Sequence, residues 1–507
     1  VKETVIRGLT PRPHLVEIER RLIPTEEEIQ LLREEGLQTS LVPKSLMCHI
    51  KSVPYKHQIE GYLVGLHYSS AALLMEQGTG KTLSAIGILG RRYLAELIKR
   101  VLIICPKSAI PNWTKEFKKH TGFAARIVEM DGKGEAKTEV FKTWKDTPHL
   151  QVAVISYQSA RIQEEAIQKW KPDMIICDES QKIKGYKAKQ SKAIHRLGSR
   201  TRYRLIMTGT PIVKSPLDVF GQYRFLDSKI FGKNYGSFES HYAVKGGYGG
   251  FKIKRYKNQE ELSQKMHGIA YRKKMDECLD MPPFVPSTIF CDLEPTPRKI
   301  YDKMEKEFIV HFLGGESAKA PISLTGMQKC HQIAGGFLHR GKGDVVHIGS
   351  EKLEVLQDLL EDFPKKNKLV IFAQWVPELK AIKELVKSTG RSVEILYGKT
   401  KSRGELVSDF QEGDLNTIVV QVSTGGVSID LYAAHTAIFY STNYSYGDYD
   451  QCRSRLRRIG TTAAAINLIH IVCRDTIDEN VMESLMEKRS LAEAVVDRLR
   501  KVAREEP

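Results

Sequence analysis

Short runs of consecutive apolar residues recur along the chain, separated by stretches of helical spacing. One series is Ala71–Leu74, Val101–Cys105, Val152–Ser156, Met174–Cys177 and Tyr203–Met207. A second is Leu369–Ala373, Val393–Leu396, Ile418–Val422, Ala437–Tyr440 and Ile466–Val472, rich in Val and Ile. Near-continuous apolarity, without alternation, predicts strands covered on both faces, as in parallel sheets. Leu83–Tyr93, Ile59–His67, a segment opening at Pro111 and Pro377–Lys387 read as helices between them. The pattern predicts an α/β chain with two parallel sheets flanked by helices.

Between the two series the pattern breaks. Gly246, Gly247, Gly249 and Gly250 read as a flexible tip, and Pro282, Pro283 and Pro286 as a linker. Basic runs with interleaved tyrosines, Lys252–Lys257 and Tyr271–Lys274, lie between them. The expected organisation is an N-terminal extension over 1–50, a first α/β lobe over 51–225, a mostly helical basic insertion and linker over 226–295, a second lobe over 296–485 and a C-terminal helix or tail over 486–507. In the extension, Thr25 followed by Glu28 predicts a capping box, with Gly36 ending the helix.

Composition narrows the partners. The chain has 507 residues, too many for one ordinary core, and a formal net charge of +17. Such an excess favours a polyanion, nucleic acid first and an anionic membrane surface second, although a generally basic solvated surface accounts for it equally well. The eight cysteines form no Cys-x-x-Cys pair, which gives no zinc or redox motif and suits a reducing compartment. No apolar run approaches a membrane span, and no signal peptide opens the chain.

The candidate chemistry starts where the first apolar run ends. Met75 to Thr82 reads Met-Glu-Gln-Gly-Thr-Gly-Lys-Thr between a strand and a helix. Gly78 and Gly80 permit a backbone that turns successive N–H groups toward one point at a helix N-terminus, where an anion is stabilised. Gly78, Thr79, Gly80, Lys81 and Thr82 are therefore candidate nucleotide-binding residues. Lys81 is placed for the β- and γ-phosphates and Thr82 for Mg²⁺. A glycine is absent five positions before Gly80, where Met75 stands, so the signal is the shorter Gly-x-Gly-Lys-Thr form. Asp178-Glu179 closes another apolar strand, at the edge where open parallel sheets bind ligands. Asp178 is the candidate Mg²⁺ holder, and Glu179 the group that polarises the attacking water.

Other segments gain meaning from that pair. The Gln58 amide suits an adenine edge, although alone it would pass as a surface residue. Ser108, beside a helix start, is a candidate phosphate contact. Lys182 and Lys184 fit either a solvated face or a nucleic-acid groove, and Lys252, Lys254 and Arg255 are candidate DNA contacts. Thr208, Gly209 and Thr210 suit a hinge that senses the γ-phosphate. Read as one helix, Tyr449–Gly460 places Gln451, Arg455 and Arg458 on one face. Two guanidiniums suit charge on a transferred phosphoryl group, but the same arginines could simply grip DNA or RNA.

Together these segments resemble the Swi/Snf (chromatin-remodeller-like) family of superfamily 2 helicase-type ATPases, in family order from about Pro54 to Ile477. The carriers are Gln58, Gly78–Thr82, Leu102 to Phe117 with Asn112-Trp113, Asp178 to Gly185, Thr208–Pro211, Val370–Trp375, Gly425-Gly426, and Gln451 with Arg455, Arg458, Ile459 and Gly460. The resemblance implies two RecA-like lobes with ATP bound between them and duplex DNA across both. It implies Arg455 and Arg458 as arginine fingers, Gln451 beside them, and Gly425 and Gly426 with Thr208–Thr210 as coupling elements. Its expected activity is an ATP-driven motor that translocates on or remodels double-stranded DNA, branched DNA included. A strand-separating or branch-migrating helicase and an ATP-switched DNA-binding protein without stepping are the rivals, and an RNA-stimulated ATPase a weaker one. Three departures bear on coupling. Ser180-Gln181 replaces Ala-His, Ser428 and Asp430 replace Gly and Asn, and Ser454 and Arg457 replace Asp and His. The chain resembles a compact bacterial or phage-type member, expected in the cytoplasm and away from membranes.

Overall fold

In a computed structural model, the structure describes residues 1–37, 49–144, 147–213, 215–246, 252–313, 320–339, 344–400, 402–425, 429–458 and 460–497. It divides into two compact units, the first Val1–Asp280 with the residues from Ser490 onward and the second Met281–Arg489.

The first unit is built on one sheet. Its strands are β1 (Lys2–Ile6), β2 (Ser70–Met75), β3 (Arg100–Cys105), β4 (Ala125–Glu129), β5 (Leu150–Ser156), β6 (Met174–Asp178) and β7 (Tyr203–Met207). A two-stranded hairpin, β8 (Ala243–Gly246) and β9 (Lys252–Tyr256), comes next in the chain, followed by β10 (Ala270–Lys273). The sheet runs β1-β4-β5-β3-β6-β7-β2-β10, parallel except for β1. Every residue of β2 and β5 is buried, as their apolarity requires. Apolar cores cover both faces of the sheet.

The second unit contains β11 (Phe284–Cys291), a small hairpin of β12 (Phe337–His339) and β13 (Val345–His347), then β14 (Leu369–Ala373), β15 (Val393–Leu396), β16 (Thr417–Gln421), β17 (Thr436–Phe439) and β18 (Ile466–Cys473). Its sheet runs β11-β18-β17-β14-β16-β15 and is parallel throughout. Both sheets match the α/β architecture expected from the apolar runs.

The segment 226–295 corrects the expectation of a mostly helical insertion. It contains the helices Tyr235–Tyr242 and Gln259–His267, but also β8, β9, β10 and β11. β10 completes the first sheet beside β2, and β11 opens the second beside β18. Its aromatics explain why it does not stand apart. Phe238, Tyr242 and Met266 are buried in the first unit's core, where Tyr223 donates its hydroxyl to the Met266 carbonyl at 2.8 Å. Pro286 lies inside β11 and not in a loop; β11 is an edge strand, where a missing N–H is tolerated. The glycine tip at 247, 249 and 250 lies outside the described residues.

Residues 1–37 also join the first unit: β1 pairs with β4, and Ile29 and Leu32 are buried in its core. The expected cap is present. The Glu28 N–H donates to Thr25 Oγ1 at 3.3 Å and the Thr25 N–H to Glu28 Oε2 at 2.9 Å. The C-terminal stretch begins within one long helix, Ile477–Asp497.

Candidate functional site

β2, β6 and β7 deliver three loops to one edge of the first sheet. β6 ends at Asp178, in register with Met207 of β7, and Met207 is in register with Leu73 of β2. The C-terminal ends of the three strands therefore lie side by side, the place where parallel α/β sheets bind ligands.

The loop after β2 turns through Gly78 at φ +86° and Gly80 at φ +80°, and Gly80 caps the helix Lys81–Leu94. Lys81 Nζ donates to the carbonyls of Met75 at 2.8 Å and Glu76 at 3.1 Å, so the ammonium is held across the mouth of the loop. Thr79 is buried and donates its hydroxyl to the Glu76 carbonyl at 2.7 Å. Thr82 is half-buried in the first helical turn.

Two residues of the preceding helix, Lys56–His67, grip this loop from one side. Gln58 Nε2 donates to the Thr79 carbonyl at 3.0 Å, and His57 Nε2 lies 2.8 Å from the same oxygen. The Tyr55 N–H donates to Gln58 Oε1 at 3.0 Å. The amide expected to meet an adenine edge is thus engaged at both ends by the protein, and it packs so closely that a Cβ on Gly80 would meet it. His57 was not singled out in the sequence; only its place beside Gln58 signals it.

β10 holds the loop on another side. The Glu76 N–H donates to the Lys273 carbonyl at 2.9 Å, and Glu76 Oε2 accepts from the Met275 N–H at 2.8 Å. Arg272 Nη1 donates to the Leu74 carbonyl at 2.9 Å, and Tyr271 donates to Glu60 at 2.5 Å. The basic, tyrosine-interleaved run 271–274 therefore braces the loop after β2.

Asp178 is fixed from two directions. Trp113 Nε1 donates to its Oδ2 at 3.0 Å, and the buried Tyr157 hydroxyl donates to its backbone carbonyl at 2.8 Å. Burial raises the Asp178 carboxyl to about 6, with the adjacent Glu179 adding to the rise; Lys81 and the Trp113 N–H act in the opposite direction. Glu179 takes a left-handed φ of +53°, uncommon for a residue with a Cβ, which directs the turn Ser180–Ile183 back along the sheet edge.

That turn carries two bridges to the loop after β7. Gln181 Nε2 donates to Glu179 Oε2 at 2.8 Å, while Gln181 Oε1 accepts from Thr208 Oγ1 at 2.8 Å. Thr208 Oγ1 in turn accepts from the Thr210 N–H at 3.0 Å. In the second bridge Ser180 Oγ donates to Gln222 Oε1 at 2.7 Å, and Gln222 Nε2 donates to the Pro211 carbonyl at 2.7 Å. Gly209 closes the contact: a Cβ there would lie 3.0 Å from the Gln77 nitrogen and 3.3 Å from the Met75 carbonyl oxygen. The loops after β6 and β7 are thus hydrogen-bonded to each other, and the loop after β2 packs against the second of them at Gly209.

The donor set fits a magnesium ion. A carboxylate whose charge is opposed by burial and by a second acid gains from a divalent cation, and Thr82 offers a half-buried hydroxyl in the first turn of the helix Lys81–Leu94. Among the described residues no group of three or more His, Cys, Asp or Glu forms a metal cage. Mg²⁺ binds commonly through one or two protein ligands, with waters and substrate phosphates completing its shell.

The expected DNA contacts are scattered over the first unit. Ser108 lies half-buried in the turn Lys107–Ala109. Lys182 is exposed, and Lys184 pairs with Asp218 at 3.8 Å. Lys252 belongs to β9, on which Lys254 and Arg255 are exposed.

In the second unit, the helix Tyr446–Ser454 carries Gln451 but stops before the arginines expected on the same face. The turn tightens there, with the Arg455 N–H bonding the Cys452 carbonyl and the Leu456 N–H the Arg453 carbonyl. The Arg455 carbonyl then accepts from the Leu431 N–H at 2.9 Å, which ties the segment to another loop and ends the helix. Arg455 is buried, and Arg458 Nε pairs with Asp430 Oδ1 at 3.2 Å. Arg457 lies over the Phe284 ring and donates to the Met281 carbonyl at 3.2 Å. Gly425 ends the short helix Val422–Gly425, and Gly426 lies outside the described residues.

Comparison with known proteins adds the family. The SNF2-related domain matches residues 55–334, and the helicase conserved C-terminal domain matches residues 351–460. The SWI/SNF-related matrix-associated actin-dependent regulator of chromatin subfamily A-like protein 1 homolog of Caenorhabditis elegans is 26% identical over 442 residues, covering 86% of this chain and 60% of that protein. The DNA repair and recombination protein RAD54B of Gallus gallus is 25% identical over 507 residues, covering 87% and 54%. This chain spans 34% to 60% of the length of such relatives. Among solved structures, the Sulfolobus solfataricus SWI2/SNF2 ATPase core in complex with dsDNA is 22% identical, covers 90% of this chain and 96% of its own, and superposes with a TM-score of 0.42.

Proposed function

Because this chain belongs to the SNF2-related family of helicase-type ATPases, we propose that it hydrolyses ATP and uses the reaction to move along, or remodel proteins on, double-stranded DNA. The observation that carries the reading is the meeting of three segments at one sheet edge: Asp178-Glu179 is hydrogen-bonded through Gln181 to Thr208 of the Thr208–Pro211 loop, and Gly209 of that loop packs closely against the start of the Gly78–Thr82 loop.

In this reading the N–H groups of residues 78–82 and the Lys81 ammonium receive the β- and γ-phosphates. Lys81 then exchanges its bonds to the Met75 and Glu76 carbonyls for phosphate oxygens. Thr82 and Asp178 would hold Mg²⁺, which would supply neutralisation of phosphate charge and polarisation of the γ-phosphoryl group. Glu179 orients the attacking water and takes up its proton. Gln181 reports the state of Glu179 to Thr208 through its amide. Gln451, Arg455 and Arg458 are assigned to the developing phosphoryl charge, the role of arginine fingers. Gly425 and Gly426 are assigned to coupling. Ser108, Lys182, Lys184, Lys252, Lys254 and Arg255 are assigned to the DNA backbone, consistent with a net charge of +17.

Steady-state ATP hydrolysis at fixed salt, measured without nucleic acid and with duplex DNA, single-stranded DNA, branched DNA and RNA, tests the proposal. Strong stimulation by plain duplex is expected. Stimulation confined to single-stranded or branched DNA would transfer the assignment to a strand-separating or branch-migrating helicase. Tight ATP-dependent DNA binding without turnover would transfer it to a nucleotide-switched binding protein.

A further inference from the structure

Trp113 lies in the helix Ile110–His120, on the buried face that also carries Phe117. Trp113 is 2% exposed and belongs to the same apolar core as Ile110 and Cys105. Spacing alone makes it a core residue, and its packing is that of one. A buried indole N–H nevertheless needs an acceptor. This one donates to Asp178 Oδ2 at 3.0 Å, from a helix 65 residues away in sequence. The Tyr157 hydroxyl holds the Asp178 main chain at 2.8 Å, so backbone and carboxylate are each held by a separate aromatic residue.

We propose that Trp113 is a positioning residue for the metal-holding carboxylate: its indole N–H fixes the rotation of Asp178 so that Mg²⁺ and nucleotide bind together. The proposal rests on the ATPase reading above and deepens it. Three features support a positioning role beyond packing. The bond is charge-assisted, so it is stronger and more directional than a bond between neutral groups. The indole is rigid and enclosed, so it holds its donor in one place. An indole donor also cannot titrate, so it keeps the carboxylate oriented without competing for its charge as a lysine would. Outer partners of metal ligands commonly change metal affinity or activity by about 10- to 100-fold when removed.

The test measures binding of a fluorescent ADP analogue to the full chain, in excess Mg²⁺ and in EDTA. The ratio of the two affinities is the readout. In Trp113→Phe, which keeps an aromatic ring and loses the N–H, the Mg²⁺ enhancement is expected to fall by about tenfold or more while affinity in EDTA stays within about twofold. Phe117→Leu, a packing change on the same helix face, is expected to retain the wild-type enhancement. Should Trp113→Phe fail to fold, site-specific 3-benzothienylalanine at position 113 keeps the bicyclic shape and replaces N–H by sulfur; the same loss is expected. Unchanged Mg²⁺ enhancement in the variant that folds, beside a clear enhancement in the wild type, would overturn the positioning role alone. A wild type whose nucleotide affinity ignores Mg²⁺ would overturn both the ATPase reading and this inference.

Discussion

Thr208 Oγ1 donates to Gln181 Oε1 at 2.8 Å, and Nε2 of the same amide donates to Glu179 Oε2 at 2.8 Å. A single side chain, 8% exposed, therefore joins the proposed water-orienting acid to the loop after β7. An amide presents a donor and an acceptor at every pH, so Gln181 itself does not titrate and only the acid at one end of the bridge can change its protonation. Gln181→Ala and Thr208→Val are each expected to lower kcat by about tenfold, equivalent to about 1.4 kcal/mol, with little change in nucleotide affinity. The double variant should be no worse than the worse single one, because both changes remove one bridge. Fully multiplicative losses would break the link between these residues. Gln181→His should instead introduce a dependence of turnover on pH near 6 to 7, about where a histidine titrates.

Lys81 and Glu179 separate binding from chemistry. Lys81→Ala removes the cation at the mouth of the nucleotide loop and is expected to abolish hydrolysis, because the phosphates then lack their cationic partner. Glu179→Gln keeps shape and hydrogen bonding but cannot take a proton, so ATP binding should persist without turnover. Equilibrium binding beside single-turnover hydrolysis distinguishes them, and turnover by Glu179→Gln at the wild-type rate would remove Glu179 from the mechanism.

Arg458 is paired with Asp430, whose side chain is 56% exposed. Such a pair is screened and contributes at most about 1 kcal/mol. Asp430→Asn should leave the melting temperature nearly unchanged. Arg458→Ala should lower kcat with little loss of nucleotide binding, and wild-type turnover by that variant would defeat the finger assignment.

The β8–β9 hairpin supplies a charge test. Lys254 and Arg255 are exposed on a strand joined to the first unit through the half-buried Tyr256 and Ile253. Replacing Lys252, Lys254 and Arg255 by alanine should weaken duplex binding and reduce the salt slope by about 0.9 for each DNA phosphate that is no longer neutralised. An unchanged slope would remove the hairpin from the DNA-binding surface.

Stability should fall in acid through buried neutral histidines. His470 is 2% exposed, stacks on Phe439, and lies 3.1 Å from the Tyr449 hydroxyl and 3.2 Å from the Ser287 carbonyl. Burial lowers its pKa from 6.5 to about 4, against an opposing effect of the Ser287 carbonyl. The folded chain thus holds the proton less tightly than the unfolded one. The stabilisation is complete above about pH 6.5 and is lost as pH falls toward about 4, at most about 3 kcal/mol for this residue. Thermal melting across that window should show a smaller acid loss in His470→Gln than in the wild type. Equal losses would place the acid sensitivity elsewhere.

The apolar runs by themselves determined the strands that form the middle of both sheets, because a strand buried on both faces must be apolar throughout. The glycines likewise marked the turn into the helix Lys81–Leu94, since Gly78 and Gly80 act within one turn of their own chain. Less regular strands escaped the pattern. β1, β4, β10 and β11 carry charged residues, proline or exposed positions, and they form because an adjacent strand offers hydrogen bonds. Tertiary structure decided what the loops do to one another. Nothing in the spacing connects Trp113 to Asp178, Gln181 to Thr208 or Glu76 to Met275; those bonds exist because the folded sheet brings distant residues to one edge. It also ended the helix after Ser454, where the Arg455 carbonyl meets the Leu431 N–H, a partner that no local periodicity can reveal.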